Sequence, residues 1–221
     1  MKQELVVATK NKKKLEEIKE ILKDLDLKIF SLQDYPRAPR IIENGKTFRE
    51  NAIKKAVNIA QFTKKLTLGE DSGLCVDVLG GRPGVYSSRF AGKDKSDLKN
   101  NLKLLQLLQG LPLNKRRAQY WCAAALADKD GLVGLSEGTC RGFVGFELKG
   151  HFGFGYDSLF IPHLSEFPKG LFKDKGAGFI IPKYKKTFAQ LGPAIKHKMS
   201  HRFCALKKTK STLIIYLKEN S

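Results

Sequence analysis

The sequence predicts an α/β protein, with helices packed on a mixed sheet. Three observations carry that expectation. The chain opens strand, turn, helix, strand between Glu4 and Phe30. Amphipathic helical stripes then alternate with short apolar runs along the rest of it. Several of those runs are separated by turn chemistry short enough for hairpins.

Residues 4–8, ELVVA, read as a short buried strand. Thr9-Lys10-Asn11 marks a turn and a helix start, after which Leu15, Ile18, Ile21, Leu22 and Leu25 fall on one helical face. Leu27 to Phe30 forms a second strand. Thr47-Phe48-Arg49-Glu50 has the form of a capping box, Thr47 at the N-cap and Glu50 three residues on. Behind it Ala52, Ile53, Ala56, Val57 and Ala60 make a helical stripe. Leu66 to Leu68 is a short strand leading into Gly69-Glu70-Asp71-Ser72-Gly73, and Gly80 to Gly84 is a loop. Leu98, Leu102, Leu105 and Leu108 mark another helix. Ala118 to Ala127 is a strand that Asp128-Lys129-Asp130-Gly131 turns into a shorter one, Leu132 to Leu135; Thr139 to Phe146 is a further strand. Ser200 to Leu217 reads as a closing helix, although Leu213 to Tyr216 would also serve as a strand.

Composition bounds the function. At 221 residues the chain fits one domain, 1–221, in two lobes. Forty-two per cent hydrophobic residues exclude a disordered polycation. Four cysteines without a CxxC pair exclude a disulfide scaffold and a ribbon-type zinc site, and read as reduced thiols. No signal-peptide apolar region follows Met1, and no apolar run approaches the roughly 18 residues of a membrane span. A soluble cytoplasmic protein with no membrane partner is the expectation. The 41 Lys and Arg against 22 Asp and Glu, a net +19, suit an anionic partner. Nucleotides, nucleic acid and a merely solvated lysine surface all satisfy that charge.

Four clusters carry chemistry, and each has a plain structural alternative. Thr9, Lys10, Asn11, Lys12, Lys13 and Lys14 sit where a strand ends and a helix begins, so free amides and lysines there can hold phosphate; a lysine-rich first turn is also ordinary surface. Glu70-Asp71-Ser72 after a strand offers a carboxylate that can bind Mg²⁺ or take a proton from water, with Glu43 as a second oxygen ligand. The alternative is a solvated turn. Gly153-Phe154-Gly155-Tyr156-Asp157 offers close backbone approach, aromatic faces and a hydrogen-bonding carboxylate for a planar ring, or else a bulge with core aromatics. Ser200-His201-Arg202, with Lys196 just before it, offers an Arg fork for a purine O6/N7 edge, or else a helix cap.

In this order the clusters resemble the inosine triphosphate pyrophosphatase family. The resemblance runs from about residue 5 to about residue 208. It is most specific in the block Glu70 to Arg89, E-D-S-G-L-x-V-D-x-L-G-G-x-P-G-x-Y-S-x-R. It implies an elongated mixed sheet with flanking helices, and two lobes around a deep active-site cleft. It also implies Mg²⁺-dependent cleavage of ITP, dITP and XTP to the monophosphate and pyrophosphate, by a homodimer. By motif match Asp71 is the catalytic carboxylate and, with Glu43, a metal ligand. Thr9, Asn11 and Lys14 hold phosphates and Ser72 touches substrate. Phe154, Gly155, Tyr156 and Asp157 pack on base and sugar, while Lys196, His201 and Arg202 read the base. The chain departs from the family pattern at Lys10, which replaces a Gly, at Phe152 and Ser158, and at Gln190, which replaces a Glu. Two alternatives remain open: a related pyrophosphatase for modified pyrimidine nucleotides, and a basic nucleic-acid-binding protein. The second lacks any helix-turn-helix, zinc-finger, RRM or KH signature.

Overall fold

The computed structural model describes residues 3–167 and 185–220. Its strands are β1 (Gln3–Val7), β2 (Leu27–Ser31), β3 (Thr67–Val76), β4 (Arg117–Asp128), β5 (Gly131–Val144) and β6 (Phe160–Pro162), in the sheet order β2-β1-β3-β4-β5-β6. The sheet is mixed: β1 pairs parallel with both β2 and β3, and β5 pairs antiparallel with β6. The helices are α1 (Lys12–Leu22), α2 (Phe48–Thr63), α3 (Asp97–Leu107), the short α4 (Phe188–Leu191) and α5 (Pro193–Lys196), and α6 (His201–Glu219). None of them is long and apolar enough to cross a membrane.

The chain divides into two compact units. The first comprises Met1–Ser72, Trp121–Thr139 and His201–Ser221; the second comprises Gly73–Tyr120 and Cys140–Ser200. Each has its own core. In the first, Leu5, Val7, Leu68, Cys122, Ala124 and Leu126 from the strands meet Ile18 and Leu22 of α1 and Ala205, Leu206 and Leu213 of α6. In the second, Leu74, Val76, Tyr120, Cys140, Tyr156, Phe160 and Phe188 pack with Leu104 and Leu108. The Tyr120 ring meets Phe160 edge-on at 4.8 Å, a favoured aromatic geometry. The four cysteines are free thiols.

Several elements differ from the sequence reading. Glu70, Asp71 and Ser72 are not a turn after a strand but the middle of β3, which continues to Val76. Polar residues mark turns when water must satisfy them; here the protein itself supplies the partners. Leu132–Leu135 and Thr139–Val144 belong to one strand, β5. Two of its glycines admit α6. A Cβ at Gly138 would lie 2.3 Å from Ala205 N and 2.4 Å from His201 O, and one at Gly134 would lie 2.8 Å from Thr212 Cγ2. Helix α1 stops at Leu22, leaving Leu25 in the following turn. The Thr47 hydroxyl does cap α2 by accepting from Glu50 N at 3.1 Å, but Glu50 reaches past it to Lys46 N. A complete capping box forms instead at Thr187 and Gln190, so the amide at Gln190 serves as a carboxylate would. Leu213 to Tyr216 is helical within α6. The tripeptide strand β6 carried no readable signal.

Candidate active site

The first unit gathers its charges around β3. Asn11 caps α1, its Oδ1 accepting from Lys14 N at 3.2 Å, while Thr9 Oγ1 accepts from Asn11 N at 3.1 Å. This tight entry leaves Lys10, Lys12 and Lys13 exposed at a helix N-terminus, where amide dipoles favour anions. Lys14 is turned inward and donates to Glu70 Oε2 at 2.6 Å. Among the described residues only Lys64 and Lys95 combine a side chain with positive φ, so Lys10 needs no glycine-like backbone.

Asp71 is 6% exposed, and both its oxygens are held from α2. Lys55 Nζ donates to Oδ1 at 2.9 Å and Asn51 Nδ2 to Oδ2 at 3.1 Å. Lys55 also pairs with Glu43 at 3.0 Å, so two carboxylates converge on one ammonium. Asn51 Oδ1 in turn accepts from Gly45 N at 2.8 Å and ties the Glu43-Asn44-Gly45 segment to the same helix. Burial lifts Asp71 above the ordinary Asp range, with Lys55 and Lys14 pulling the other way. That makes it a better proton acceptor than a solvated Asp. Lys55 shows the reverse balance: burial works against its charge, but Asp71 and Glu43 outweigh it and raise its pKa.

Beside this pair lies a second, deeper ion cluster. Arg202 is 1% exposed and donates to Glu70 Oε1 from Nε (3.2 Å) and Nη2 (2.9 Å), to Glu17 from Nη1, and to Ser72 Oγ from Nη2 at 3.0 Å. Burial opposes the charge on Glu70, yet Arg202 and Lys14 hold its carboxyl well below the usual range. The same carboxylates raise Arg202 further. Cys122 touches Glu70 at 3.4 Å, and burial next to that carboxylate pushes its thiol up, away from nucleophilic chemistry. His201, 3% exposed, opens α6 next to Arg202.

The second unit holds the glycine–aromatic loop. Asp157 Oδ2 accepts from Phe154 N at 2.9 Å and from Lys196 Nζ at 2.7 Å, and Oδ1 accepts from Tyr120 OH at 3.3 Å. Gly153 is required here: at φ 81° a Cβ would fall 2.0 Å from Asp157 Oδ2. Helix α3 fixes the loop from outside, Asp97 accepting from Gly155 N at 2.7 Å and Asn101 donating to Gly155 O at 2.8 Å. Tyr156 belongs to the core, its hydroxyl donating to Ser87 O at 2.9 Å. Phe154 is half-buried with the Lys196 ammonium 4.8 Å from its ring centre. Phe152 is exposed and lies tilted against the His151 ring, centres 4.2 Å apart. Lys149 N donates to Ser158 O, a backbone bond that the side chain at 158 does not enter.

The first unit therefore assembles Thr9, Asn11, Lys14, Glu43, Asp71, Ser72, His201 and Arg202, and the second assembles Phe154, Gly155, Tyr156, Asp157 and Lys196. Sequence reading missed Glu17, Asn51 and Lys55. A signal existed for two of them. The buried face of α2 is Phe48, Asn51, Ala52, Lys55, Ala56 and Ile59, and two polar residues in such a stripe need partners in the core.

Known proteins resemble this chain along nearly its whole length. A sequence model of the Ham1 family matches residues 5–212. A dITP/XTP pyrophosphatase of Desulforamulus reducens is 44% identical over 209 residues, covering 95% of this chain and 94% of its own. One from Shouchella clausii is 41% identical, with 95% and 96% covered. Among solved structures, a HAM1 protein from Coxiella burnetii matches with a TM-score of 0.78 at 33% identity, over 96% of this chain and 98% of that one. The Staphylococcus aureus Ham1 protein matches with a TM-score of 0.77 at 32% identity, over 99% and 100%. The chain belongs to the Ham1 family.

Proposed function

We propose that this chain hydrolyses the triphosphates of inosine, deoxyinosine and xanthosine to the monophosphate and pyrophosphate, in the cytoplasm, as a Mg²⁺-dependent homodimer. The dITP/XTP pyrophosphatase names of its relatives support the substrate class. The observation that carries the chemistry is the buried Asp71 carboxylate, gripped at both oxygens and paired through Lys55 with Glu43.

Asp71 accepts the proton of the attacking water, and its raised pKa suits that task. Thr9, Asn11 and the lysines from 10 to 14 hold the phosphates and neutralise their charge. Glu43 and Asp71 also fit Mg²⁺. They are hard oxygen donors that both reach the Lys55 ammonium, at 3.0 and 2.9 Å. That matches an ion held by one or two carboxylates with substrate phosphates and water completing its shell. Bound there, Mg²⁺ supplies charge neutralisation as the pyrophosphate leaves.

Base recognition falls to Phe154 and Asp157 with Lys196, and to His201 and Arg202. Glu17 and Glu70 set the plane of the Arg202 fork. The Nη2 bond to Ser72 is the one a purine O6/N7 edge can exchange with, which gives Ser72 its place beside the substrate. Adenine presents a donor at that edge and is refused.

Phosphorus NMR of the products tests this reading. ITP and XTP should give monophosphate and pyrophosphate with Mg²⁺ present, and ATP should remain intact. Release of inorganic phosphate, turnover of modified pyrimidine triphosphates in preference, or no turnover at all would overturn it.

A further inference from the structure

One cation in the second unit has no place in the chemistry above. Arg116 follows a single 3-10 turn, Leu113–Lys115, and leads into β4. It is 2% exposed, and its Nε and Nη1 are buried without a hydrogen-bond partner. No described carboxylate pairs with it; the nearby Glu147 is engaged with Lys149 at 2.8 Å. Among the described residues its guanidinium lies over the ring of Phe146, whose centre is 4.5 Å from the guanidinium carbon. A ring face replaces only part of the solvation that a buried guanidinium gives up.

The same residue lines a groove of about 650 Å³ in the range of small-molecule sites. Its walls are Leu105, Leu108, Leu111, Pro112 and Phe146, with the side chains of Gln106 and Gln109 at the edge. Arg116 is the only charged residue among those lining it. Phe146, which covers the guanidinium, is itself 60% exposed and has room to swing away.

We propose that this groove binds a small monocarboxylate with an apolar body. One carboxylate oxygen accepts from Arg116 Nε or Nη1, the donors without a partner, in a charge-assisted bond. The apolar body lies against Leu105, Leu111 and Pro112, and Phe146 moves off the guanidinium to become a wall. One guanidinium without a second cation matches a single negative charge. A phosphate dianion would remain half-neutralised among apolar walls.

NMR titration of the full chain with hexanoate tests the proposal, hexan-1-ol and inorganic phosphate serving as controls. Hexanoate should shift the Arg116 Nε–Hε and Phe146 ring signals saturably, with a midpoint of about 1–10 mM, as expected for a single ion pair with a short chain. Hexan-1-ol and phosphate should give no saturable shift of those signals. Arg116→Met should abolish the response. Should that variant fail to fold, Gln109→Glu decides: a carboxylate on the exposed groove edge competes for Arg116 and should weaken hexanoate roughly tenfold. Absence of saturation by hexanoate, equal binding of hexan-1-ol, or an unchanged midpoint in Gln109→Glu would each overturn the site.

Discussion

Lys55 Nζ stands 2.9 Å from Asp71 Oδ1, with side-chain exposures of 10% and 8%. A buried pair of this kind does little for stability over a well-packed apolar pair, but breaking it strands a charge. Lys55→Met removes the cation and leaves Asp71 facing Glu43 without a mediator. Urea unfolding should show a loss of about 3–5 kcal/mol at neutral pH. An unchanged midpoint would mean that the pair is not formed in solution.

Substitution can separate the ion pairing of Arg202 from its proposed part in reading the base. Arg202→Lys keeps a positive charge for Glu17 and Glu70 but loses the planar fork. The folded state should survive, while the preference for ITP over ATP in kcat/KM falls about tenfold, the worth of one charge-assisted hydrogen bond to the base. Unaltered preference in a folded variant would remove Arg202 from base recognition.

Gly69 lets β3 lie directly on α2. A Cβ there would meet Ala52 O at 2.3 Å and Ala56 N at 2.5 Å, both backbone atoms that cannot rotate away. Gly69→Ala must push apart the two elements that join Asp71 to Lys55 and Asn51. The expected cost is about 1–3 kcal/mol of stability, with kcat reduced further than stability alone explains. Thermal melts and turnover on the same preparation check both.

Asp128 ties the β4–β5 turn to α6. Its carboxylate accepts from Asp130 N at 2.9 Å, Gly131 N at 3.1 Å and Tyr216 OH at 2.9 Å. Burial opposes its charge, but these donors outweigh it and lower its pKa; Tyr216 is pushed up to about 12 by burial and by the same bond. Because the folded pKa lies below the unfolded one, the stabilisation is complete above the unfolded value, near pH 4, and is lost as pH falls through the folded value. Asp128→Asn should therefore melt about 3 °C lower than wild type at pH 7, with the gap closing toward pH 2. A gap that stays constant with pH would assign the effect to packing instead.

What was legible in the sequence follows from which forces act locally. The Asn11 and Thr47 caps and the stripe of α1 depend on neighbours within four residues, and they stand where spacing puts them. The α3 stripe does not: Leu98 and Leu102 are 57% and 52% exposed, and the helix buries Asn100, Asn101 and Leu104 instead. Two central features depend on distant partners. Glu70-Asp71-Ser72 looks like a turn until Lys14, Lys55 and Arg202 arrive from three different helices to satisfy it. Gly134 and Gly138 look like strand breaks until α6 presses its residues against them.

The central claim is that Asp71 carries the hydrolysis. Its most direct test compares pyrophosphate release from ITP by wild-type protein and by Asp71→Asn, at saturating Mg²⁺, after circular dichroism has shown both folded. The wild type should turn over steadily, and the variant should fall by about 10²–10⁴ in kcat, the usual worth of a positioned base. A folded Asp71→Asn with wild-type kcat would contradict the account.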